Sequence, residues 1–141
     1  MEPSQEGGPV AEEHNLVLIL ARGLASSMAT PVFLVDPEGR LVYYNEPAEA
    51  ILGRTYAEAG PLSQEEWGTM FRPHDPGSGG EMDLKTLPLS VALYERKPAH
   101  SPMGIIGMDG LHRTIAVTAL PLFAKADEFI GAMAVFWEDQ S

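Results

Sequence analysis

The chain has 141 residues, 45% of them hydrophobic, which suits one globular domain with a core of its own. Twenty acidic residues against nine basic give a net charge of −11, a balance that argues against nucleic acid and anionic lipid as partners. Cysteine is absent, which excludes disulfides, thiolate nucleophiles and zinc–thiolate sites.

Residues 1–10 are rich in Glu, Pro, Gly and Ser and read as a disordered tail. The start carries no basic region of the kind a secretory signal needs. The longest apolar run, Leu16 to Ala21, is far short of the ~20 residues of a membrane span. A cytoplasmic protein is expected. Residues 11–29 read as a helix with acids in its first turn. Leu16, Leu20 and Leu24 share one face; Val17, Ala21, Leu24 and Met28 share the next. Leu18 and Ala25 add a third. A helix apolar on so many sides expects burial on more than one. One side can dock on its own sheet and the other on a second copy. Leu16, Val17, Leu20, Leu24 and Met28 are therefore candidate dimer residues. The alternative is a helix folded back over its own sheet with both sides satisfied.

Residues 30–141 read as the main domain. Val32–Val35 and Leu41–Tyr44 are β-rich runs flanking Asp36-Pro37-Glu38-Gly39. Pro37 presets a type I turn, Asp36 can bond back onto it, and Gly39 accepts φ > 0 at its exit. Asn45 can cap the following helix, with Glu46 and Pro47 in its first turn, and Gly53 stops it. Residues 55–61 read as a short helical turn and a break. Ser63 and Glu66 form a capping box that launches a helix carrying Trp67, Met70 and Phe71. Pro73–Gly80 reads as a mobile surface loop; its glycines match no phosphate-binding spacing. Thr86 is the expected cap of the next helix, with Pro88 in its first turn, Leu89, Ala92 and Leu93 inward, and Pro98 as its stop. Met103–Met108, Leu111–Leu122 and Phe129–Trp137 read as strands, the first two joined at Asp109-Gly110. On one register Ile115 and Val117 face inward; a one-residue slip would substitute Thr114 and Ala116. The fold class is α+β: an antiparallel sheet of about five strands with helices on one face and an N-terminal helix.

His14, His74, His100 and His112 show neither i, i+4 pairing nor metal spacing, and no metal is expected. His100 precedes Ser101, but neighbours in a strand point to opposite faces, so no catalytic pair forms there. No catalytic residue is assigned.

Asp36, Gly39, Asn45 and Gly53, in that order and spacing, make the chain resemble a PAS domain, over roughly Ser26 to Asp139. The resemblance implies a sensory and interaction module that dimerises through a helix before the first strand. It implies a cavity between sheet and helices, with Trp67, Met70, Leu89, Leu93, Ile115 and Val117 as candidate walls. A bound ligand should be apolar or weakly polar, positioned by a group such as the Trp67 indole N–H. Light-sensing flavin members need an adduct-forming cysteine, and a thioester-linked chromophore needs one too; both are excluded here. Haem members take a histidine from the long helix, and Thr86–Lys97 has none, so haem is not expected. His74 and His100 would have to swing in. Non-covalent flavin stays open without support; no cofactor is predicted. Partners implied are a second copy and an output such as a kinase, cyclase, phosphatase or transcription regulator. Glu138-Asp139 stands where many members carry an Asp-x-Thr relay motif, and no Thr follows. Two rival readings are an interaction adaptor with a filled core, and a small isomerase-like enzyme of the same shape, for which His112 is the sheet's only candidate base.

Overall fold

The computed structural model describes residues 19–125 and 127–138. Helix α1 occupies residues 19–26. It leads into β1 (Val32–Val35) and β2 (Leu41–Tyr44), then three short helices, α2 (Glu46–Leu52), α3 (Tyr56–Ala59) and α4 (Gln64–Met70). A 3-10 turn (Leu84–Thr86) precedes α5 (Pro88–Glu95), and β3 (Ala99–Ile106), β4 (His112–Phe123) and β5 (Phe129–Glu138) follow. The strands form one antiparallel sheet in the order β2-β1-β5-β4-β3, so the last strand inserts between the two hairpins. This is the expected α+β architecture.

Local chemistry explains the joints. In the β1–β2 turn Asp36 Oδ1 accepts from Glu38 N at 3.0 Å and Arg40 N at 2.9 Å, and Gly39 leaves it at φ 86°. Asn45 caps α2 by accepting from Ala48 N at 3.2 Å, and Gly53 ends it at φ 81°. The Ser63–Glu66 box is closed in both directions, at 2.8 and 3.2 Å. A second box, Thr55 with Glu58, starts α3.

Several segments depart from expectation. Thr86 does not cap α5; Asp83 draws it into the 3-10 turn, and Leu87 precedes Pro88 without a side-chain cap. Arg96, left-handed at φ 59°, ends α5 before Pro98 is reached. β3 begins at Ala99 rather than Met103, because residues 99–102 pair with 116–119; Pro102 fits there because β3 is an edge strand. Leu111 is 55% exposed in the β3–β4 turn, and β4 begins only at His112. Residues 73–81 are not a structureless loop. Asp75 N bonds Gly80 O at 2.8 Å, Gly79 N bonds Asp75 O at 2.7 Å, and His74 pairs with Gly104 of β3.

The sheet's two faces are packed differently. Inward, Phe33, Val35, Ile105, Ile115, Val117, Ala134 and Phe136 meet Leu52, Trp67, Leu89, Ala92 and Leu93 from the helices. Thr114 and Ala116 lie on the opposite side of β4, so the first register is the observed one. Outward, Val32 and Leu34 are buried with Ala25 of α1, and Ala21, Met28, Met133 and Val135 close around them.

Candidate functional site

The inner face leaves a cavity of about 80 Å³. Trp67, presented by the capped α4, forms one wall with Phe71 and Pro73. Leu87, Pro88 and Leu89 contribute the start of α5. Met103 and Ile105, Ile115 and Val117, and Ala134 and Phe136 form the floor from three adjacent strands, and Phe33 and Leu52 close the remaining side. Phe33 holds the aromatic corner: it stacks on Tyr44 at 5.9 Å and takes Trp67 edge-on at 5.8 Å.

Trp67, Leu89, Ile115 and Val117 thus stand on the cavity wall. Leu93, on the same helical face as Leu89, is buried one turn further along, beside Gly39. The Met70 side chain, like Leu16 and Val17, lies outside the described residues. The Trp67 N–H donates to Gly39 O at 2.8 Å, so it ties the wall to the β1–β2 turn and is not free to orient a ligand. Phe33, Met103 and Phe136 were not anticipated; the strand alternation that exposed Ile115 and Val117 could have nominated all three.

Among the described residues the wall carries no acid, base or nucleophile. Asn45 and Ser90 are the buried polar side chains among the described residues, and both are engaged elsewhere; Ser90 Oγ accepts from Gln64 Nε2 at 3.3 Å. His112 is exposed at the start of β4, which removes the base that an isomerase reading required. His100 is also exposed, with Nδ1 2.7 Å from Thr118 Oγ1, and His74 rests on Gly104; neither reaches the cavity. No three His, Asp or Glu among the described residues gather as a metal site. A flavin does not fit these residues. Pockets for molecules of that class run to roughly 300–1,000 Å³ and carry convergent polar groups, whereas this cavity of about 80 Å³ has an apolar wall. Among the described residues no histidine stands on the cavity wall to ligate a haem.

Burial shapes titration nearby. Tyr44, buried on the inner face, has its phenol pushed up to about 12, first by desolvation and then by the Glu49 carboxylate, with Arg54 opposing. Tyr56 is raised by burial, with Arg22 opposing. At the surface, the Leu111 N–H and then Arg113 hold Asp109 below the usual carboxylate range.

The outer face has a different site. Asn45 is fully buried where α1, β1 and α2 meet. Its Nδ2 donates to Ala25 O at 2.8 Å and Thr30 O at 2.9 Å; its Oδ1 accepts from Val32 N at 2.9 Å as well as from Ala48 N. All its hydrogen-bonding capacity is used. Arg22 of α1 lies over the rings of Tyr43, at 4.6 Å, and Tyr56, at 5.8 Å. These contacts fix α1 with Ala25 inward and Ile19, Leu20 and Leu24 outward, 63%, 62% and 64% exposed.

Comparison with known proteins agrees with this arrangement. A family model described as a PAS domain matches residues 21–89. Solved structures share the fold at low identity. The PAS domain of BvgS from Bordetella pertussis is 18% identical with a TM-score of 0.57, over 89% of this chain and 87% of that one. The PAS domain of nitrogen regulation protein NR(II) from Vibrio parahaemolyticus is 14% identical with a TM-score of 0.58, over 85% and 98%. A LOV protein from Rhodobacter sphaeroides is 14% identical with a TM-score of 0.64, over 92% and 67%. No protein of curated function matches. The family match over residues 21–89 and the order of strands and helices continued to Glu138 make the chain similar to PAS domains, which are sensory signalling modules, in sequence over that stretch and in fold over the described residues.

Proposed function

We propose that this chain is a non-catalytic input and dimerisation module. Its inner cavity takes an apolar molecule of a few heavy atoms. The outward face of α1 pairs with a second copy, and the pair regulates an output domain or partner such as a kinase, cyclase, phosphatase or transcription regulator. The observation that carries this reading is the two-sided helix: Ala25 is buried on the sheet while Ile19, Leu20 and Leu24 stand in solvent. A row of exposed aliphatic side chains on a helix fixed from behind is an interface awaiting its partner. Light scattering of the intact chain at tens of micromolar, an order-of-magnitude range for weak dimers, should give twice the monomer mass. Leu20→Glu with Leu24→Glu should give the monomer mass with unchanged circular dichroism. A monomeric intact chain refutes the dimer.

A second reading, an interaction adaptor with a filled core, is favoured by the cavity's small size, about 80 Å³. Native mass spectrometry followed by denaturation separates the two: a sensor releases a small molecule or gains one from an apolar library, and an adaptor does neither.

A further inference from the structure

One residue separates the apolar cavity from an open groove of about 830 Å³ on the surface. The groove runs past Gly68, Arg72, His74, Met82 and His112, and Pro73 lines both it and the cavity. Pro73 belongs to a strap, residues 71–74, laid along β3. That strand is the last in the sheet, so its outward N–H and C=O groups have no strand partner. The strap supplies one. Ile106 N–H donates to Phe71 O at 2.9 Å, His74 N–H to Gly104 O at 2.9 Å, and Gly104 N–H to His74 O at 2.8 Å.

The His74 ring seals the contact. Its Nδ1 is 2.9 Å from Arg72 O, and its Nε2 would lie 2.2 Å from a Cβ at position 104, so the ring can rest there only on a glycine. Arg72, immediately before Pro73, sits at φ 49°, a left-handed conformation that non-glycine residues rarely hold. Beyond His74 the segment closes on itself, with Asp75 N bonded to Gly80 O and Met82 N to Pro73 O at 3.3 Å.

We infer that residues 72–74 are the gate of the cavity. They lift from β3 as a unit, take Pro73 out of the wall, and admit a small apolar molecule from the groove. This rests on the reading of the cavity as a ligand site. The other walls belong to paired strands or to α2, α4, the segment leading into α5 and α5 itself, and moving those breaks the sheet or the core. Phe71 anchors the strap's root in the core, and beyond it residues 72–74 are held to β3 by the His74–Gly104 pair of backbone hydrogen bonds and one seated ring, so Pro73 is the part of the wall that opens at least cost.

Xenon, a probe suited to small dry cavities, tests the gate through line broadening of the Met103, Ile115 and Val117 methyls. Gly104→Ala evicts the His74 ring. Amide exchange at positions 74 and 104 should rise about tenfold, the equivalent of roughly one lost hydrogen bond. Xenon should arrive and leave faster by the same factor, with its dissociation constant unchanged. Faster amide exchange with unaltered xenon kinetics, or unaltered amide exchange, overturns the gate. Should Gly104→Ala fold poorly, the double variant His74→Cys/Gly104→Cys locks the strap. Directly paired residues of this kind lie about 5.5 Å apart at Cα, within disulfide reach, and the chain has no other cysteine. Oxidation should slow xenon exchange at least about tenfold and reduction restore it; wild-type exchange through the oxidised lock refutes the inference. If the wild type takes up no xenon, the ligand reading fails. The strap is then judged by exchange alone: positions 74 and 104 must open together below the cost of global unfolding, and opening only with global unfolding overturns it.

Discussion

The two faces of the sheet are held by different forces. The inner face is closed by shape: Phe33, Tyr44 and Trp67 interlock, aliphatic residues fill the rest, and about 80 Å³ stays empty. The outer face under α1 has a smaller apolar cluster, built on Ala25, Val32 and Leu34, and is pinned by one polar side chain, Asn45, with four hydrogen bonds. Non-directional packing tolerates a void, and a void can accept a guest. Directional bonds fix a helix at one angle, which a face presented to a second copy requires. On the proposed function, one sheet thus separates the region that changes its contents from the region that keeps its geometry.

The sharpest way to break this contrast is Asn45→Ala. It removes the side-chain partner of Val32 N, Ala48 N and Thr30 O, and one of the two donors to Ala25 O, which keeps the Met28 N–H, in a site where Asn45 is fully buried. At about 1 kcal/mol for each bond net, some of it recovered by relaxation, the loss should be about 3 kcal/mol by urea unfolding. Amides of α1 should lose protection before those of β4. A loss below about 1 kcal/mol, with α1 still protected, would mean that apolar packing alone holds the helix.

That junction also shows what a sequence can and cannot reveal. Asn45 as a cap is legible because its partner, Ala48, is three residues away; Asp36 with Gly39 and Ser63 with Glu66 are legible for the same reason. Thr55 and Glu58 carry the same signature and could have been read from it. The bonds from Asn45 to Ala25, Thr30 and Val32 span 20, 15 and 13 residues, and no local pattern announces them. His74 and Gly104 meet across a still longer separation, so glycine-rich composition alone turned a built strap into an expected loose loop. At the cavity, helical periodicity placed Leu89 and Leu93 on one face. It could not say that the space ends one turn before Leu93, because that depends on where Gly39 and Trp67 come from.

The inner face can be probed by filling. Ala134 is buried in the centre of β5, on the cavity floor. Ala134→Val adds two methyl groups. If they enter empty space, each contributes about 0.8 kcal/mol or less, and the protein should gain about 1 kcal/mol in thermal or urea unfolding. If the wall is already full, overpacking should cost about 1–3 kcal/mol instead. The sign decides between an adaptable face and a rigid one. The same variant should abolish xenon uptake.

The smallest expected effect tests how dry the inner face is. Tyr44 is fully buried there and donates its hydroxyl to Arg54 O at 2.7 Å. Replacing it with Phe removes one hydrogen bond and leaves that carbonyl unpaired, a loss of about 1 kcal/mol at neutral pH. The pH dependence is more telling than the size. The phenol's ordinary value of 10.0 rises to about 12 in the fold. Between those values the unfolded chain has released the proton and the folded chain still holds it. Stability must therefore fall as pH rises through that window, because the folded state binds more protons. Tyr44→Phe removes this contribution but keeps that of Tyr56, also raised by burial. The wild type's advantage should be largest below pH 10 and fall steadily toward pH 12, reversing on the way because the gap between the two values outweighs one hydrogen bond. Parallel curves would mean that water reaches the Tyr44 hydroxyl, and that the inner face is not the dry compartment an apolar ligand requires.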